Sequence, residues 1–152
     1  MDFENPLHEF IMMGRIAEEV DVFGKKVRMR VLNAGQRRDI LQETGHMDGV
    51  TRVHQMQIAT LARAIMSIDG IRLEYKPEKA DEPITIEKTI EQTKKYLVQA
   101  QQPVIDHLYD KYNELMEKQS QQVEELKKKL VKPGPEPSGK LEKSQVSTES
   151  ST

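Results

Sequence analysis

The residues best suited to chemistry in this chain are its histidines and its closely spaced carboxylates. His8, His46, His54 and His107 are the four histidines. No two stand three or four residues apart, the spacing that sets two imidazoles on one helix face around a metal ion. The sequence therefore predicts no metal centre. Asp106 and Asp110 lie one helical turn apart, as a paired-carboxylate acid/base site requires. No glycine loop near them supplies the rest of a mechanism, so the pair reads as a solvated helix face. Gly14, Gly24, Gly35, Gly45, Gly49 and Gly70 are scattered singly at turns and helix ends, which gives neither a phosphate-cradling loop nor a dinucleotide fingerprint. Cysteine is absent, which removes disulfides, thiolate zinc sites and thiol catalysis and fits a reducing compartment. Nothing resembles a nucleophile elbow. The expectation is a non-enzyme with no cofactor and no catalytic residue.

The elements that would position any site are organised around the stretch Val50 to Asp69-Gly70, the densest apolar run. Val50, His54, Ile58, Leu61, Ile65 and Ile68 recur at helical steps and predict one enclosed helix with Ala59, Ala62, Ala64 and Met66 on its other faces. Arg63 is the exception on that helix, and its guanidinium should reach solvent or a carboxylate. Asp69-Gly70 is a strong turn signal, followed by the alternating strand Ile71 to Tyr75. Upstream, Asn5-Pro6 opens a short helix with Leu7, Phe10 and Ile11 on one face, ended by Gly14. Glu18 to Leu32 reads as a hairpin: Val20 and Val22, a turn at Phe23-Gly24-Lys25, then Val27, Met29 and Val31 alternating with arginines. Asn33 caps a short helix that ends at Gly45, with Ile40 and Leu41 inward.

Residues 76–83 carry two prolines and no apolar period, and form a loop. Thr85 caps a helix with Ile86, Ile90, Thr93, Leu97 and Ala100 on one face. Pro103 starts a last, long helix to about Val131, whose Glu114–Lys118, Glu124–Lys128 and Glu125–Lys129 spacings support it by about 0.2 to 0.5 kcal/mol each. The fold class is thus α+β: an N-terminal β-hairpin and short strand packed on a buried central helix, two helices after them, and a disordered Pro/Ser/Lys/Glu-rich tail. The expected organisation is an apolar arm at 1–14, one mostly helical domain at 15–131 and the tail at 132–152.

Composition narrows the partners. With 152 residues, 36% hydrophobic, 32% charged and 5% aromatic, the chain suits one domain that is lean in core formers. The net charge of −2 gives no global attraction to nucleic acid or membrane. The N-terminal residues lack the basic region and apolar core of a signal peptide, and no run reaches a membrane span. The expectation is a soluble cytosolic chain. The hairpin region is the most basic part, through Lys25, Lys26, Arg28, Arg30, Arg37 and Arg38. Strand alternation explains its arginines as a solvated face, and interleaved aromatics for base stacking are missing. Nucleic acid is disfavoured.

Surface for protein partners is what remains. The arm bearing Leu7, Phe10 and Ile11 is too short to hold its helix alone, and is expected to dock on its own body, with another protein as the alternative. On the long helix Tyr109 and Tyr112 sit beside Met116, and aromatics with Met are enriched in interface cores. The other reading is that they pack on the central helix. Further along, Val123, Leu126 and Leu130 approximate a heptad that a small body leaves uncovered. A partner helix or self-association is expected there.

Three stretches taken together resemble a known family: Gly24-Lys-Lys-Val-Arg-Met-Arg-Val-Leu32, Gln57-Ile-Ala-Thr-Leu-Ala-Arg-Ala-Ile-Met-Ser-Ile-Asp-Gly70 and Pro103-Val-Ile-Asp-His-Leu-Tyr-Asp-Lys-Tyr-Asn-Glu-Leu115. In this order, after an apolar arm, they resemble the tail assembly chaperones and baseplate hub assembly proteins of tailed bacteriophages, over about residues 5–130. The resemblance implies no catalytic residues. It implies a protein that binds tape measure, hub or baseplate components in the host cytoplasm while the tail is built. The alternatives are a permanent structural subunit of the tail or baseplate, and a small nucleic-acid-binding regulator using the basic hairpin.

Overall fold

A computed structural model describes residues 6–130. Two tight turns set out its sheet. Strand β1 (Ala17–Val22) returns as β2 (Lys25–Arg30) in an antiparallel pair, with Val20 opposite Val27 and Val22 opposite Lys25. The connection is Phe23-Gly24, at φ 51° and 82°. Positive φ at both residues is the turn geometry whose twist matches that of paired strands. The same device joins β3 (Ile65–Ile68) to β4 (Ile71–Arg72) through Asp69 at φ 52° and Gly70 at 82°. Strand β3 pairs antiparallel with β2, so the four strands lie in the order β1-β2-β3-β4.

Asp69 fixes that join. Its carboxylate accepts from the Lys26 N–H at 2.8 Å and its own N–H donates to the Lys26 carbonyl at 2.7 Å. The register slips between Arg28 and Met29, a bulge that sets Met29 opposite Ile65.

The helices are α1 (His8–Met12), α2 (Ala34–Thr44), α3 (Gly49–Ala64), α4 (Ile86–Leu97) and α5 (Gln102–Leu130). Asn33 and Gln36 form a reciprocal capping box at the start of α2, with both side-chain-to-backbone bonds at 2.9 Å. Thr85 caps α4 through the Lys88 N–H. Met29, Ile58, Leu61, Ile105 and Leu115 are the largest fully buried apolar side chains, so β2, α3 and α5 meet in one core. The loop at 76–83 is tied to α4: the Tyr75 hydroxyl and the Lys88 ammonium both donate to Glu82 at 2.9 Å. Hydrogen bonds from Lys88 and Tyr75 hold the Glu82 carboxyl below its ordinary value.

The α+β class stands, with the hairpin, the turn at Asp69-Gly70 and a long last helix in place. Several details differ from the sequence reading. The central helix stops at Ala64, and Ile65–Ile68 is a strand, because pairing with β2 competes successfully with the helical period. Val50, expected inward, is 85% exposed; burial on α3 begins at Ile58. Leu41 is exposed, since Ile40 and Thr44, one turn apart, take the inner face of α2. Strand β4 covers only Ile71–Arg72, and Ala100 falls beyond the end of α4. Pro6 precedes α1 by two positions, so it does not begin the helix. Lys118 pairs with Glu18 on β1 at 2.7 Å rather than with Glu114, and Lys127 rather than Lys128 reaches Glu124, at 3.1 Å.

Internal contacts divide the chain into residues 1–120 and 121–152, a division inside α5. The helix opening expected at Asn5, and the tail expected to be disordered at 132–152, lie outside the described residues. Among the described residues no helix is long and apolar enough to cross a membrane.

Candidate protein-binding surface

The arm comes first. Gly14, at φ 75°, turns the chain out of α1 and into β1, and its carbonyl accepts from the Gln119 side chain on α5 at 2.9 Å. A left-handed φ is what glycine tolerates at no steric cost. This anchor holds the arm's base, but α1 itself buries no residue. Phe10 is 68% exposed, and Leu7, Ile11, Met12 and Met13 are exposed with it. The expectation that the arm packs on its own body is therefore corrected: the five residues of α1 stay exposed among the described residues, although Phe10, Ile11 and Met13 form one wall of a groove.

That groove has a volume of about 1050 Å³ and lies within residues 10–119. Its opposite wall is the chain from Arg30 to Arg37, where β2 runs into the capped start of α2. The segment Ile16-Ala17 and Met66 complete it. Two backbone features fix its shape: the Val31 N–H donates to the Ile16 carbonyl at 3.0 Å, and the capping box holds Asn33 to Gln36.

The α5 residues separate into two groups. Tyr112 is only 2% exposed, and its hydroxyl accepts from the Leu32 N–H at 3.3 Å. It belongs to the core, so the expectation of a partner contact there is corrected: the hydroxyl has an internal donor and the ring is enclosed. Tyr109 is half-buried against that core with its ring 6.1 Å from the Tyr112 ring, and burial pushes its hydroxyl above the ordinary value. Met116 is also half-buried, with its sulfur 3.0 Å from Arg37 Nη2. Within residues 121–130, Val123 is exposed and Leu126 half-buried, and Leu130 closes α5 at the limit of the described residues.

The hairpin cations are largely engaged. Lys26 pairs with Asp21 at 2.8 Å and Lys25 with Asp69 at 3.6 Å. The hydrogen bond to Asp21 raises the Lys26 ammonium above its ordinary value. Arg30 donates through Nε to the Arg63 carbonyl at 3.2 Å. Arg63 itself finds a carboxylate, one of its two expected outcomes: its Nη2 lies 2.9 Å from Glu43, which also takes a short hydrogen bond from Lys94. No sequence signal pointed to Glu43, which stands twenty residues before Arg63.

The residues first weighed for chemistry stay apart. His8 is on the arm, His46 in the turn after α2, His54 on α3, and His107 packs against Phe23 with ring centroids 4.8 Å apart and the planes tilted by 45°. Among the described residues no group of three histidines or carboxylates is placed to hold a metal ion. Asp106 and Asp110 are exposed, and Asp106 accepts from the Gln102 side chain at 2.8 Å.

Compared with protein-family models, curated proteins and solved structures, the chain matches none.

Proposed function

We propose that this chain is a non-enzymatic protein-binding factor of bacteriophage tail or baseplate assembly, one that holds a tape measure or hub component while the tail is built. The observation that supports protein binding is the arm, where Phe10, Ile11, Met12 and Met13 stand together in solvent. Soluble monomers rarely leave such apolar residues contiguous unless something covers them. Met and aromatic side chains are also the types enriched in interface cores. The phage assignment rests on the resemblance of the hairpin, central and α5 stretches to tail assembly chaperones.

A transient chaperone leaves the finished particle, so the test couples two measurements. The tagged chain is purified from cells expressing its neighbouring genes, and its copy number is counted in purified particles. Capture of a tape measure or hub protein, with no copies in the particle, is the expected result. A fixed, symmetric copy number would make it a permanent structural subunit instead. Recovery of nucleic acid without any tail protein would overturn both readings.

A further inference from the structure

The groove beneath the arm has an unusual charge. Arg15, Arg30 and Arg37 line it, and among the described residues no aspartate or glutamate does. The chain carries 25 acidic against 23 basic residues, so carboxylates are not scarce. Lys25, Lys26, Arg38 and Arg63 each have one within ion-pair distance. Among the described residues the groove arginines do not. Arg37 Nη2 rests on the Met116 sulfur at 3.0 Å and Arg15 Nη1 on the Met12 sulfur at 3.4 Å. A thioether is a weak acceptor, so both guanidiniums keep most of their donor capacity for something else. Among the described residues Arg30 spends only Nε, on the Arg63 carbonyl. The start of α2 borders the same space and adds its own partial positive charge.

Between these cations much of the lining is apolar, through Phe10, Ile11, Met13, Ile16, Val31 and Leu32, with Asn33, Gln36 and Gln119 as its uncharged polar members. The apolar surface does not end at the groove, because α1 carries it on into solvent through Met12 and the outer face of Phe10. A small ligand is normally enclosed over most of its surface. An open groove continuous with an exposed helix suits a longer segment.

We propose that this groove docks an acidic amphipathic segment of a partner protein, apolar side chains on the arm and the Ile16–Leu32 floor, carboxylates on Arg15, Arg30 and Arg37. The proposal rests on the protein-binding reading above and names the chemistry of the partner.

The test uses the full chain and a labelled helical peptide of about 18 residues, leucines on one face and glutamates on the other, long enough to form helix on binding. Fluorescence anisotropy should show saturable binding that weakens with salt. The Arg15→Glu/Arg37→Glu variant, both sites exposed and its fold checked by circular dichroism, should bind about tenfold more weakly or worse, since it replaces two attractions by two repulsions. A matching peptide with lysines for glutamates should bind no better than that variant does. Absence of saturable binding, equal binding of the lysine peptide, or an unchanged affinity in the variant would each overturn the proposal.

A photo-crosslinking side chain at Ala34, on the groove wall, reads the occupant directly. Crosslinks to the peptide support the proposal; crosslinks to the chain's own residues 131–152 or to a second copy, in preference to the peptide, overturn it. The two readings fail separately. Capture of a tail protein that Arg15→Glu/Arg37→Glu leaves intact removes the groove assignment alone, while peptide binding without capture of any tail protein removes the phage assignment alone.

Discussion

Glu43→Gln should destabilise this protein more than any other single change of a partly exposed carboxylate. Glu43 on α2 joins Arg63 on α3 to Lys94 on α4. The Arg63 side chain is 9% exposed and that of Glu43 31%. With glutamine there, one amide oxygen replaces two carboxylate oxygens and its NH2 confronts the second cation, so Arg63 and Lys94 lose the negative charge between them while Arg63 keeps its bond from Nη1 to the Ala59 carbonyl, at 3.0 Å. Breaking a fully buried pair costs about 3 to 5 kcal/mol, and an exposed pair contributes about 0 to 1. An enclosed cation with a one-third exposed acid falls between, at about 2 kcal/mol, or a drop in Tm of about 6 to 10 °C for a domain of this size.

The pH dependence adds a second check. Burial pushes the Glu43 carboxyl up, but the hydrogen bonds and the charges of Lys94 and Arg63 together outweigh it, and the net shift is downward. A carboxyl lowered in the folded state stabilises fully above its unfolded value, about 4.3, and that stability is lost as pH falls through the folded value. Wild type and Glu43→Gln should therefore differ at pH 7 and converge only as pH falls through the lowered folded-state value of Glu43. Urea unfolding followed by far-UV circular dichroism measures both. A variant within about 0.5 kcal/mol of wild type at pH 7, or a gap that persists unchanged in acid, would refute the account of this cluster.

Tyr112→Phe leaves the buried Leu32 N–H without its acceptor, and because that bond is long at 3.3 Å the cost should sit near the low end, about 1 kcal/mol, read as a lower urea midpoint at unchanged m. Gly70→Ala meets nothing within 4 Å, so its cost is purely that of φ +82°, about 1 to 2 kcal/mol; a neutral result by thermal melting would remove the turn argument. Phe10→Ser/Ile11→Ser should leave stability within about 0.5 kcal/mol of wild type and abolish capture of the tail partner in the pull-down, a pairing that separates an interface from a core.

What could be read from the chain was local chemistry. Phe23-Gly24 announced its hairpin, and Asp69-Gly70 its turn, because few dipeptides accept two positive φ values in succession. Asn33 marked the start of α2 because its side chain reaches only three residues on. The strand Ile65–Ile68 was hidden, since its isoleucines continue the helical steps of Ile58 and Leu61 and only the partner strand decides between the two periods. The two-residue turn that follows held the missing information: Asp69-Gly70 can close a hairpin only if the residues before it are extended. Glu43 and the groove were beyond reach for a different reason. One depends on a contact between helices, and the other brings together residues as distant as Gly14 and Gln119.

The basic block from Lys25 to Arg38 shows what such distant contacts decide. In the sequence its cations form one group, and a nucleic-acid reading needs them to act as one field. The fold sorts all of them but Arg28, which stays exposed on β2. Lys25 and Lys26 are neutralised by Asp69 and Asp21, and Arg38 by Asp39, while Arg30 and Arg37 turn with Arg15 into the groove. Paired lysines contribute little to a long-range field, whereas arginines set around an apolar floor contribute to a short-range one that needs a matching shape as well as a matching charge. The sorting weakens the case for a phosphate backbone and strengthens that for a protein segment. It predicts that charge reversal at Lys26, in contrast to Arg37, leaves peptide affinity unchanged in the anisotropy assay; an equal loss at both positions would mean that the block acts as a single field after all.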